Sequence, residues 1–147
     1  MKRLLDFVRL PVEDEWLLIK SFLLLVVVRI SLFVLPFRSV RWLFSQWKRR
    51  TVRTDRLDLS HIRKVTWAIK SASRLVPRAT CLTQGIAVVL LLGQLGQLAH
   101  LKIGVAKGTS QNLVAHAWVE SHGRVVLGND TNPSHYSILT PLREEIL

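Results

Sequence analysis

The stretch Leu113–Asp130, LVAHAWVESHGRVVLGND, decides how the second half of the chain folds. Two runs rich in Val, Leu and Ala flank Ser121, His122 and Gly123, the pattern of a β-hairpin around a glycine-containing turn. On an extended strand alternate residues share a face. His116 and Trp118 therefore point one way, and Ala115, Ala117 and Val119 the other. A histidine beside a large aromatic reads either as a hydrogen-bonded core residue or as half of an active site. As a base it needs a third group to fix its ring. Counted back from the turn, residues 129 and 130 return opposite 115 and 116, so Asp130 or Asn129 can supply that group. Glu120 lies too near the turn for the part, and His122 reads as a turn residue.

The candidate nucleophile lies upstream, in RATCLTQG (Arg78–Gly85). Cys81 is the only cysteine in the chain. Thr80 suits a helix cap, which places Cys81 in the first turn of the apolar helix TCLTQGIAVVLLLGQ. There the positive end of the helix dipole and unbonded backbone N–H groups favour the thiolate, the nucleophilic form. The same N–H groups can receive an oxyanion. The competing reading is a buried structural cysteine. Against it, Cys81 stands at the helix start beside Thr80 and Arg78, not within AVVLLL.

The remaining elements set the fold class. Pro11 and the acids after it start a helix that runs to about Leu35. SVRWLFSQWKRR (Ser39–Arg50) reads as a second helix, and a third begins near Asp58 or Ser60 and ends before Pro77. LKIGVAKG (Leu101–Gly108) is a strand closed by a glycine, and PLREEIL a short helix or tail. Helices followed by one cysteine-bearing helix and a small antiparallel sheet make an α+β chain. We divide it into residues 1–75, a basic, apolar helical region, and residues 76–147, a catalytic core.

Charge separates the same two parts. Residues 1–75 hold 16 Lys and Arg against 6 Asp and Glu, and residues 76–147 hold 5 against 4. The basic part attracts acidic peptides or anionic surfaces, or serves only as a solvated face. No groove-reading motif points to nucleic acid. A single cysteine excludes an internal disulfide and a multi-cysteine zinc site, and a free thiol suits a reducing cytoplasm. MKRLLDFVRLPVEDEW does not read as a secretory signal. Trp16–Phe37 has the length of a membrane span, but Lys20 and Arg29 interrupt it. The cost of those charges nearly cancels the apolar gain. The segment reads instead as a helix buried on most sides, by its own domain or a partner. Peripheral membrane contact stays open, because Lys48, Arg49, Arg50, Arg53 and Arg56 follow it.

TCLTQGIAVVLLL, LKIGVAKG and AHAWVESHGRVVLGND together resemble the transglutaminase-like cysteine proteases that mature lasso peptides, in particular the stand-alone leader peptidases. The resemblance covers about Pro77 to Asp130. It implies a transglutaminase-like, papain-like core with a Cys-His-Asp triad on Cys81, His116 and Asp130. Here VLGND separates the acid from GRV, which keeps Asn129 in contention. It implies removal of a leader from a ribosomally made precursor peptide, with no cofactor and no metal. A separate leader-binding partner, a RiPP recognition element, is implied, because the chain is too short to carry that domain fused. An ATP-dependent cyclase would then close the ring on the freed core peptide.

Overall fold

The computed structural model describes residues 11–36, 38, 39, 42, 46, 58–108, 112–128 and 133–138. Among the described residues, three continuous helices precede a four-stranded antiparallel sheet, as the α+β reading requires. The first helix, α1 (Val12–Val34), carries Glu13, Asp14 and Glu15 in its first turn, where the dipole favours acids. It ends at Leu35, which turns extended ahead of Pro36 because proline disfavours the helical conformation before it. Of the helix expected over Ser39–Arg50, only Ser39, Trp42 and Gln46 are among the described residues, and these three are helical.

The second helix, α2 (Leu59–Ser73), starts where its cap dictates. The Asp58 carboxylate accepts from the backbone N–H of Ser60 at 2.9 Å and of His61 at 3.2 Å. The Ser60 hydroxyl, 2.7 Å away, and the His61 N–H hold this carboxyl below the usual carboxylate range. Ile62, Val65, Ile69 and Ala72 recur at helical spacing and form its buried face. Lys64 reaches back to Asp14 at 3.2 Å, tying α2 to the first turn of α1.

The third helix, α3 (Cys81–Gln94), is apolar all round, and such a helix must be enclosed. Ile86 through Leu92 are all buried. α1 and α2 cover α3 from one side and the sheet covers it from the other, so one hydrophobic core runs through all of them. Leu25 and Val28 of α1, Ile69 of α2, Val88 of α3, and Val119 and Leu127 of the sheet belong to that core. Residues from both 1–75 and 76–147 thus line it.

The sheet order is β3-β2-β1-β4, with β1 His100–Lys107, β2 Leu113–Ser121, β3 Arg124–Leu127 and β4 Ser137–Ile138. The turn between β2 and β3 has His122 at φ 48° and Gly123 at φ 74°. Left-handed backbone at both central positions suits the right-handed twist of a two-residue hairpin. A bulge follows: Glu120 pairs with Val125 but Val119 pairs with Leu127, leaving Val126 as the extra residue. The short strand β4, absent from the sequence reading, adds to the free edge of β1 at Gly104 and Val105.

Of the two expectations for α1, burial on most sides by its own domain does not hold. Only Leu18, Ser21, Leu24, Leu25 and Val28 are buried, because α2 and α3 pack on one face alone. The opposite face is exposed and apolar.

Ser21 sits on the buried face of α1 with its hydroxyl unpartnered among the described residues. An unsatisfied buried hydroxyl costs about 1–3 kcal/mol. Ser21→Ala should therefore raise the thermal unfolding midpoint by about 2–4 °C, followed by circular dichroism. An unchanged or lowered midpoint would mean that the hydroxyl is bonded.

Candidate active site

The N-terminus of α3 is built by its cap. Thr80 is extended, and its hydroxyl accepts from the backbone N–H of Thr83 at 3.3 Å. The two threonine hydroxyls lie 3.0 Å apart, and Thr83 is fully buried. The carbonyl of Thr80 takes the N–H of Gln84, whose side-chain amide donates to the Ala79 carbonyl at 3.3 Å. Arg78, at φ 58°, turns the chain into this cap. Cys81 is the first helical residue, a half-buried free thiol. Helix geometry leaves the first-turn N–H groups without intrahelical partners. Thr80 satisfies those of Thr83 and Gln84, and those of Cys81 and Leu82 point out of the helix end.

α3 meets the sheet one turn further on, at Gly85. A Cβ there would lie 2.6 Å from Cδ1 of Leu101 and 3.6 Å from Cγ2 of Val119. The missing side chain lets the helix backbone sit close on β1 and β2, with Cys81 one turn from the contact.

His116 lies on β2 opposite Gly104 of β1. It shares its face with Trp118, as alternation requires, and the two rings stack at 6.2 Å and 18°. Tyr136 lies 5.5 Å from the imidazole and 6.3 Å from the indole. Gly104 makes room for this cluster: a Cβ there would lie 2.8 Å from the Cβ of Tyr136 and 2.9 Å from the Trp118 ring. Trp118 is buried and donates its indole N–H to Glu120 at 2.9 Å, which holds that carboxylate on the indole.

The imidazole Nε2 is 3.1 Å from the carbonyl oxygen of Gly128. A carbonyl only accepts, so Nε2 donates, and in the neutral ring Nδ1 then holds the free lone pair. Gly128 has φ 83°, and a Cβ on it would lie 2.9 Å from the Cβ of Trp118 and 3.0 Å from the Ala117 carbonyl. Glycine alone meets both the conformation and the space.

Cys81 and His116 thus lie on the two elements that pack on each other, α3 and β2, but no hydrogen bond joins them. Val119 faces α3, and alternation sends His116 to the other side of β2, toward Tyr136 and Gly128. Asp130 and Asn129, the two candidates for the third position, lie outside the described residues. Sequence reasoning missed Gly128, Gly104 and Tyr136 as parts of the site. The glycine that ends β3 was a signal for the first, and nothing local marked the other two. A surface pocket lined by Leu35, Pro36, Arg38, Ser39 and Trp42 includes none of these residues.

A helix-start cysteine, a strand histidine and an antiparallel sheet in that chain order accord with a family model. The description Transglutaminase-like superfamily matches residues 22–141. The chain belongs to the transglutaminase-like superfamily. No curated protein and no solved structure matches it. Members of the transglutaminase-like superfamily are typically cysteine-dependent enzymes, cysteine proteases and acyl transferases among them. The match begins within α1, so the superfamily domain takes in helices from the first half of the chain as well as the sheet.

Two glycine substitutions should act in opposite directions. Gly128→Ala forces a left-handed alanine against Trp118 and should destabilise the protein by about 1–3 kcal/mol. Gly93→Ala meets nothing within 4 Å in the last turns of α3 and should stabilise it by about 0.5–1 kcal/mol. Urea unfolding of both variants reads this directly. Equal stability of the two would show that the Gly128 backbone is not held as described.

Proposed function

We propose that the protein is a cysteine protease that removes the leader from a lasso peptide precursor, acting with a separate leader-binding partner. The observation that carries the reading is Cys81 as first residue of the Thr80-capped helix α3, in a chain of the transglutaminase-like superfamily. The motifs TCLTQG and HAWVE, similar to those of lasso leader peptidases, narrow it to this substrate.

In this reading His116 takes the proton of Cys81. The thiolate attacks the peptide carbonyl at the leader–core junction and forms an S–C bond. The N–H groups of Cys81 and Leu82 at the end of α3 stabilise the oxyanion. The C–N bond breaks as the imidazolium returns its proton to the leaving amine of the core peptide. Water then hydrolyses the thioester, releasing the leader carboxylate and restoring the thiol. One water is consumed and no cofactor takes part. Because the free protein holds His116 on the face of β2 away from α3, this reading requires the imidazole to leave the Gly128 carbonyl and reach the end of α3 when substrate and partner bind. Asp130, or Asn129, supports the imidazolium. The basic first half of the chain receives the partner or an acidic leader.

The test is incubation of the protein with its partner and precursor, followed by mass spectrometry. Released leader bearing the added water is the expected product, whereas an added amine would assign the site to acyl transfer instead. Cys81→Ala should abolish release with the thermal midpoint unchanged, and His116→Ala should slow alkylation of Cys81 by iodoacetamide near neutral pH. A Cys81→Ala variant that still cleaves would overturn the reading. So would a Cys81 that alkylates at the rate of a free thiol with or without His116.

A further inference from the structure

α1 has two apolar faces, and only one has a partner. Trp16, Ile19, Leu23, Val27, Ile30 and Val34 are each more than half exposed. At about 100° per residue these six fall within an arc of about 80°, so they form one continuous stripe along the helix. The helix is about 35 Å long at 1.5 Å per residue. Lys20, exposed, borders the stripe on one side, and Arg29, half-buried, lies on the other. Past the helix end the exposed apolar surface continues through Leu35 and Trp42 with Arg38 beside them. Monomeric proteins seldom leave so long an apolar strip in water.

From this arrangement we propose that α1 lies flat on an anionic membrane surface, with the stripe in the acyl boundary and Lys20, Arg29 and Arg38 at the headgroups. Charge selects this occupant. Lys20, midway along the helix, is exposed at the margin of the stripe, and the part of the sequence around it is strongly basic, with 16 Lys and Arg against 6 Asp and Glu over residues 1–75. Long cationic side chains at the edge of an apolar face reach back to the headgroups. The acids of the helix, Glu13, Asp14 and Glu15, are confined to its first turn, where Asp14 is tied to Lys64 of α2.

The helix is long and apolar enough to cross a bilayer, but its other face is built into the protein. Leu25 and Val28 are fully buried against α2 and α3. A spanning α1 would abandon that core or draw α2, with its exposed Arg63 and Lys70, into hydrocarbon. The in-plane orientation keeps the core intact and covers the stripe.

Flotation of the full-length protein tests the proposal, using vesicles of phosphatidylcholine with phosphatidylserine and vesicles of phosphatidylcholine alone. The wild type should float with the serine-containing vesicles and lose that binding at high salt. Leu23→Glu with Val27→Glu should weaken binding about tenfold or more, since affinity follows the apolar area inserted. Thermal unfolding and the Cys81 alkylation rate report that this variant still folds. A second readout needs no charged variant: brominated acyl chains should quench the wild-type tryptophan fluorescence, and quench Trp16→Phe less. A wild type that stays unbound to both vesicles overturns the proposal. So does a double variant that floats as well as the wild type, or quenching unaltered in Trp16→Phe. A dimer in solution that the double variant splits, with no flotation, would assign the stripe to a second copy instead.

Discussion

The structure is organised around the need to enclose α3. From Thr83 to Leu92 nearly every residue of this helix is buried, so it cannot lie on a surface. One face is taken by α1 and α2 and the other by β1 and β2, with Gly85 allowing close approach to Leu101 and Val119. A glycine at that point exchanges local helix propensity for contact between backbone and sheet. Everything else is placed by that burial. The hairpin must present Val119 and Leu127 inward, and α1 must give up Leu25 and Val28 to the same core.

Enclosing the body of α3 leaves its two ends to reach solvent, Gly93 and Gln94 at one and Cys81 at the other. The thiol of Cys81 is half-buried where the helix emerges, capped by Thr80 rather than covered by packing. On the sheet, the side of β2 away from α3 gathers the imidazole of His116, the indole of Trp118 and the phenol of Tyr136. The rings restrict the imidazole and the Gly128 carbonyl fixes which nitrogen carries the proton. A backbone carbonyl can set the tautomer as a carboxylate does, but it adds no full negative charge to stabilise an imidazolium. A carboxylate after β3 would therefore supply charge to a ring whose orientation is already set.

What was legible in the sequence follows the range of the interactions involved. The caps at Asp58 and Thr80, the stop before Pro36 and the turn at His122 and Gly123 are local, and each is written in the residues that make it. The shared face of His116 and Trp118 follows from strand alternation alone. Gly128 was not legible as a hydrogen-bond partner because its contribution is a carbonyl, which every residue carries. The bulge at Val126 also escaped, since neither side chain pattern nor turn type reports an extra residue. β4 is two residues long and exists only by pairing with β1, and Tyr136 reaches the site through that pairing.

α1 shows why hydropathy could not resolve its place. Each of its two faces is apolar, so the average over the helix is as high as that of a spanning segment. The faces differ in shape and in flanks. The inner one carries Ser21 and side chains interlocked with α2 and α3, whereas the outer one is a smooth row bordered by Lys20. Core packing demands complementary shapes, and a lipid boundary demands only apolar area with cations at its margin. The outer row meets the second requirement and not the first. The two charges that argue against crossing a bilayer are therefore the same ones that suit a helix lying along its surface.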